Sequence, residues 1–162
     1  MSPAGAGRGT RAEQSLRLWL RLISLYNLID GDLRRNLKER FGCTLPQFDV
    51  LSELARAGRP LTMSELSREL MVSNGNITGL VDRLEREGQV RRELRTGDRR
   101  VQLISITDAG RTRFESMAAE HAAWLEAMFS ALPRKALDQA VEDIHALRDQ
   151  VRAHHDKDKK EP

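Results

Sequence analysis

One stretch, Thr62 to Thr107, constrains the chain more than any other, because it holds three kinds of local signal in close succession. Thr62 and Glu65 stand at capping-box spacing, so a helix is expected from Met63, with Met63, Leu66 and Leu70 on one face. A tight turn follows. Ser73 is placed to cap the next helix, where Ile77, Leu80, Val81 and Leu84 recur as i, i+3, i+4, i+7. That apolar stripe anchors the helix to a core. Its other side carries Gly75, Gly79, Asp82, Arg83 and Arg86, flanked by Asn76 and Thr78. Each helical glycine costs roughly 1 kcal/mol against alanine, so local stability did not place them there. Close approach to another surface is the better reason, and Gly88 ends the helix.

A ribbon comes next. Val90–Leu94 and Val101–Ile106 are rich in β-branched and apolar residues around a turn at Thr96-Gly97-Asp98, which predicts two strands. From Arg91 to Arg100 the ribbon carries Arg91, Arg92, Arg95, Arg99 and Arg100, opposed by Glu93 and Asp98. A helix-turn-helix presents its second helix to the major groove of DNA, and a basic ribbon tip reaches the minor groove beside it. The simplest reading is a winged helix-turn-helix that binds double-stranded DNA.

The rest of the chain bounds that reading. Lysine and arginine number 27 against 24 acidic residues, a net charge of only +3, so the basic character is local to the ribbon. The single cysteine, Cys43, excludes an internal disulfide and a cysteine-based zinc cluster. It stands at a helix-entry loop without a resolving partner, and a plain buried thiol is favoured over an oxidant sensor. No signal peptide or membrane span is expected, since Arg17, Arg21, Ser24 and Asn27 interrupt the most apolar run, and a cytoplasmic location follows. An enzyme is not expected: there is no paired-carboxylate site, glycine-rich phosphate loop or Cys/His metal spacing. His121, His145, His154 and His155 are scattered, so neither cofactor nor metal is called for.

Long helices flank the reading module. Residues 1–11 lack periodicity and are expected to be a disordered tail, followed by a helix within 12–42 that is apolar almost all round. Thr44 and Pro46 open the first helix of the DNA-binding unit, 43–108, and Gly58-Arg59-Pro60 closes it. Residues 109–153 hold two further helices. Thr107-Asp108-Ala109-Gly110 caps the first, and Pro133 starts the second, whose stripe is Leu137, Ala140, Val141, Ile144, Leu147 and Val151. Residues 154–162 are expected to fray. The fold class is thus mainly α with a small β-ribbon: a winged helix-turn-helix flanked by N- and C-terminal dimerisation helices. One subunit cannot bury so much apolar helix alone, so a homodimer is expected. Its two reading helices would stand about 34 Å apart on an imperfect palindrome.

Leu45-Pro-Gln-Phe-Asp-Val-Leu, Leu61-Thr-Met-Ser-Glu-Leu-Ser, Asn74 through Leu84, and Gly97-Asp-Arg-Arg-Val through Ile106-Thr-Asp-Ala-Gly-Arg resemble the MarR family of transcriptional regulators over about Leu16 to Val151. The most specific element is the wing signature Asp98, any residue, Arg100, with Ile104, Ile106 and Thr107 downstream. The resemblance implies an obligate homodimer that represses, sometimes activates, promoters and answers to small aromatic or phenolic ligands. By position it implies Arg100 in the minor groove, Asp98 bracing the wing, and Asn74, Asn76, Thr78 and Arg83 at the major groove and its phosphates. Residue chemistry agrees. Arg83 suits phosphate or guanine, Asn76 suits adenine, and Ser73 offers a phosphate contact while capping its helix. Arg99 completes the basic tip.

An effector site is less sharply drawn. Trp19, Tyr26, Met117, His121 and Trp124 are either core or the lining of a cleft between the first and fifth helices, and Arg17 and Arg21 either a solvated seam or its anion-accepting rim. Two other readings stay open: a constitutive DNA-binding protein without effector, and a winged-helix module for protein contact only.

Overall fold

The computed structural model describes residues 9–158, apart from the side chains of Asn74, Arg99 and Asp158. Six helices and three strands follow in the order α1 (Arg11–Phe41), α2 (Leu45–Ala57), β1 (Leu61–Thr62), α3 (Met63–Glu69), α4 (Asn74–Arg86), β2 (Val90–Arg95), β3 (Asp98–Ile106), α5 (Asp108–Phe129), α6 (Arg134–Asp158). Three helix starts carry full capping boxes, Thr10/Glu13, Thr44/Gln47 and Thr62/Glu65. In each, a threonine hydroxyl and a Glu or Gln side chain satisfy amides that would otherwise lack partners. Gly42 and Gly58, both left-handed, end α1 and α2.

The chain divides into two compact units, residues 1–121 and 122–162, the boundary falling within α5. In the first, α2 is the central element: Val50, Leu51 and Leu54 are at most 2% exposed. Leu66 of α3, Ile77, Val81 and Leu84 of α4, and Ile104 of β3 are likewise sealed. The C-terminal end of α1 joins this core through Leu33 and Leu37. It is fastened to α5 by Arg40 Nη1–Glu120 Oε2 (2.7 Å) and by Arg113 Nη2 donating to the Phe41 carbonyl (2.7 Å). The N-terminal half of α1 is different. Leu16, Trp19, Leu20, Leu25, Tyr26 and Leu28 are each at least half exposed. In the second unit, α6 leaves Leu137, Val141, Ile144 and Val151 exposed.

Two expectations need correction. The wing sheet has three strands, ordered β1-β3-β2 and antiparallel throughout, not two. Leu61 and Thr62 pair with Ile104 and Leu103, a two-residue strand too short to show alternation. Second, α6 runs to Asp158, so 154–158 of the expected C-terminal tail are helical. A charged exposed segment can extend a helix already nucleated by its predecessors, since propagation is far easier than initiation. Of the two expected tails, residues 1–8 and 159–162 lie outside the described residues.

The join between wing and α5 is tight. Thr107 donates its amide to the Gln89 carbonyl (3.0 Å), while its hydroxyl lies 2.7 Å from the Gly88 carbonyl and accepts from the Gly110 amide (3.0 Å). Gly110 is buried directly against the Gln89 backbone. A Cβ there would overlap the Gln89 carbonyl oxygen and sit 3.0 Å from its Cα.

Candidate nucleic-acid interface

The interface is assembled on α4. Ser73 Oγ accepts from the Asn76 amide (3.4 Å), starting the helix at Asn74. Burial of Ile77, Val81 and Leu84 fixes its rotation. The remaining face therefore turns outward: Gly75, Asn76, Thr78, Gly79, Arg83 and Arg86 are exposed. Beyond the adjoining residues and the backbone of α4 itself, no described heavy atom lies within 4 Å of where a Cβ would stand at Gly75 or Gly79. These glycines are thus not required by packing within the subunit, and they leave a strip of bare backbone on an open surface.

Arg83 Nε pairs with Glu87 Oε1 at 2.9 Å, one turn on, and Arg86 Nε donates to the Asp82 carbonyl (3.3 Å). Both pairs are solvent-exposed, so they hold the arginines weakly and a phosphate can compete. At the wing tip Gly97 has φ +90°, which two-residue turns favour in glycine. Pairing slips there, from Leu94↔Gln102 to Arg95↔Asp98, so residues 99–101 ride an irregular bend. Asp98 Oδ1 accepts from the Arg100 amide (3.0 Å) and braces that bend through the backbone. Arg95 and the exposed Arg100 line a cleft of about 350 Å³ together with Thr62 and Ser64 at the start of α3.

The wing arginines therefore divide. Arg92 turns back onto α4, pairing with Asp82 and reaching Glu85 Oε2 (3.5 Å), and pins the wing to the reading helix. Arg91 Nε pairs with Glu93 Oε1 (2.9 Å). Arg95 and Arg100 are left at the tip. The wing signature marks Arg100, but nothing in the sequence sets Arg92 apart from Arg91 or Arg95; alternation along β2 puts Arg92 on the face of Val90, and only the packed helix supplies its partners. Asn74 opens α4 and Arg99 lies in β3, but their side chains, named as DNA contacts, fall outside the described residues.

The residues named for an effector are dispersed. Arg17, Trp19, Arg21 and Tyr26 stand on the exposed half of α1, and Met117 is fully buried. His121 stacks on Phe48 (centroids 4.9 Å apart), which also meets Phe114 (5.5 Å). Burial pushes the His121 imidazole below its usual value, favouring the neutral ring. Trp124 belongs to the second unit. Tyr26 donates to Asp30 Oδ1 (3.2 Å), and Asp30 is gripped by Arg34 at 2.6 and 3.1 Å. That arginine's hydrogen bonds hold the Asp30 carboxyl below the usual range, whereas burial raises that of Asp49 against the pull of Arg34. From sequence Asp30 reads only as part of the polar stripe of α1, and Arg34 and Asp49 carry no signal of their own, because charged residues on amphipathic helices read as solvated until the neighbouring helix is placed. Cys43 is 2% exposed, and burial pushes its thiol up, which disfavours the reactive thiolate.

Comparison with known proteins agrees with this geometry. Residues 41–101 match the model of the MarR family. A helix-turn-helix transcriptional regulator of Bacillus cereus (strain ATCC 14579) is 35% identical over 112 residues, covering 69% of this chain and 73% of the relative. The crystal structure of a MarR family transcriptional regulator from Silicibacter pomeroyi superposes with a TM-score of 0.74 at 31% identity, over 89% of this chain and 99% of that one. Sco3205, a MarR family regulator from Streptomyces coelicolor solved in complex with DNA, gives 0.74 at 27% identity over 91% and 92%. With a reading helix, a braced basic wing and these relatives, the chain belongs to the MarR family: a DNA-binding, winged-helix transcriptional regulator and not an enzyme.

Proposed function

We propose that this regulator acts in the cytoplasm as a homodimer on a pseudo-palindromic operator, as a repressor released by a small aromatic or phenolic ligand. The observation that carries the reading is the outward face of α4, where Ser73, Asn76, Thr78 and Arg83 surround two glycines with open space above them, beside the wing tip bearing Arg100. Bare backbone lets the helix sink into a major groove, where Asn76 and Arg83 have the donors to read adenine and guanine edges. Arg100, held by Asp98, supplies the minor-groove cation. That Sco3205, which shares the fold, was solved in complex with DNA supports DNA binding by this fold. Two-fold association through the exposed apolar faces of α1 and α6 would bury side chains that a monomer leaves in water. A small ligand that favours one arrangement of the dimer would then shift wing separation and lower operator affinity by population shift.

A gel shift on the chain's own upstream region, at fixed salt with nonspecific competitor, tests the DNA reading. Wild type is expected to bind tightly and Arg100→Ala to bind at least about tenfold more weakly with its fold unchanged, the scale of one good groove contact. Full affinity in Arg100→Ala would refute its minor-groove role. For the effector, tryptophan fluorescence is titrated with a panel of aromatic acids. A response that also releases the operator supports the ligand; no response across the panel counts against an aromatic effector and favours a constitutive DNA binder.

A further inference from the structure

Behind the wing, away from its turn, lies a cleft of about 170 Å³ between the α2–β1 loop, the base of the sheet and the start of α5. Leu54 and Ile106 contribute apolar lining, and three arginines, Arg59, Arg91 and Arg111, are among the other residues that line it. They come from three separate elements. Register explains part of the cluster: Arg91 and Ser105 are direct cross-strand partners, so their side chains share a face of the sheet. Two of the arginines carry a counterion, Arg59 Nη2–Glu65 Oε1 (2.9 Å) and Arg91 Nε–Glu93 Oε1 (2.9 Å), and Arg59 Nη1 also donates to the Pro60 carbonyl (3.0 Å). Arg111 has no ion pair among the described residues. Ser105, which also lines the cleft, has a buried Oγ with no hydrogen-bond partner among them.

We propose that this cleft binds a phosphate-type oxyanion, with Arg111 and Arg91 supplying charge and the Ser105 hydroxyl donating a hydrogen bond. Three cations facing two carboxylates leave one positive charge uncompensated, and a hydroxyl withdrawn from water without a partner is costly unless something accepts from it. Planar guanidiniums from separate elements suit the oxygens of a phosphoryl group. The cleft is small enough to select the anion itself or the terminal phosphoryl of a small ester. The same chemistry has a second source, a backbone phosphate flanking the operator, and that source alone rests on the DNA reading above.

The test uses full-length wild type, Arg111→Ala and Ser105→Ala, each checked by circular dichroism; neither substitution removes a protein hydrogen bond or ion pair. The first measurement is the ³¹P linewidth of inorganic phosphate, with and without sulfate competitor, at constant ionic strength. The second is operator affinity across a salt series in phosphate-free buffer. A phosphate line broadened by wild type, narrowed by sulfate and left narrow by both variants establishes a free-anion site. If wild type leaves the line narrow but Arg111→Ala flattens the log K against log salt slope by about 0.9, the site takes a DNA phosphate. Variants indistinguishable from wild type in both measurements overturn the proposal. Failure of every form to bind operator would instead count against the DNA reading and leave the phosphorus measurement to decide.

Discussion

Single residues set several of the local constraints, and two of them can be weighed directly. Glu65 accepts from the Thr62 amide and hydroxyl and from Arg59, and these bonds lower its carboxyl from 4.5 to about 2. A depressed carboxyl contributes stability above its unfolded pKa, lost as pH falls through the folded value, so the window runs from pH 4.5 down to 2. Glu65→Gln keeps a capping-box side chain but cannot titrate. Chemical denaturation across that window is expected to show a shallower acid slope in the variant; equal slopes would show that Glu65 makes no contribution to it. Gly110 is the stricter case. Gly110→Ala forces the start of α5 away from the Gln89 carbonyl and is expected to cost at least about 1–3 kcal/mol in urea unfolding. From sequence Gly110 read only as part of a helix cap. Its true constraint is a backbone crossing twenty-one residues away, which no local pattern encodes.

At the scale of elements, helix starts were the most legible features. The expected caps Thr44, Thr62 and Ser73 all hydrogen-bond as their spacing indicates, because a cap is decided within four residues. The rotation of α4 was legible too, since its apolar stripe is regular. Its glycines yield a prediction with two opposite arms. Gly75→Ala and Gly79→Ala meet open space, so each should stabilise the free protein by up to about 1 kcal/mol in thermal or urea unfolding. The same methyl groups should weaken operator binding, because they hold the helix away from the groove. Variants that are both more stable and bind as tightly as wild type would remove close approach as the reason for glycine there. The wing shows where local reading stops. Arg92 and Arg100 belong to the same arginine-rich ribbon, yet Arg92 is pinned to Asp82 and Glu85 of α4. Arg92→Ala should therefore lower stability by about 1 kcal/mol and also weaken DNA binding, whereas Arg100→Ala should affect DNA binding alone.

For the whole molecule, the exposed apolar faces of α1 and α6 are the observation behind the proposed dimer. A chain that leaves Leu16, Trp19, Leu20, Leu28, Val141 and Val151 about half exposed or more is expected to sediment as a dimer at micromolar concentration. Charged substitutions at Leu20 and Leu28 should shift it toward monomer and, by separating the paired reading helices, abolish tight operator binding. A wild-type monomer at that concentration would remove the basis for a palindromic operator.

The sequence by itself determined the helix-turn-helix, the wing and the family, because caps, turns and apolar periodicity act over a few residues and this family writes them in a contiguous run. It did not determine the third wing strand, the inward turn of Arg92, the Gly110 contact, the Tyr26–Asp30–Arg34 chain linked electrostatically to Asp49, or the three arginines around Ser105. Apart from the i, i+4 contacts within α1, these join groups far apart along the chain, and they depend on which face of a helix or strand meets which neighbour. Only the packed tertiary structure decides that, since the free energy that selects it is distributed over the buried core and not written in any one segment.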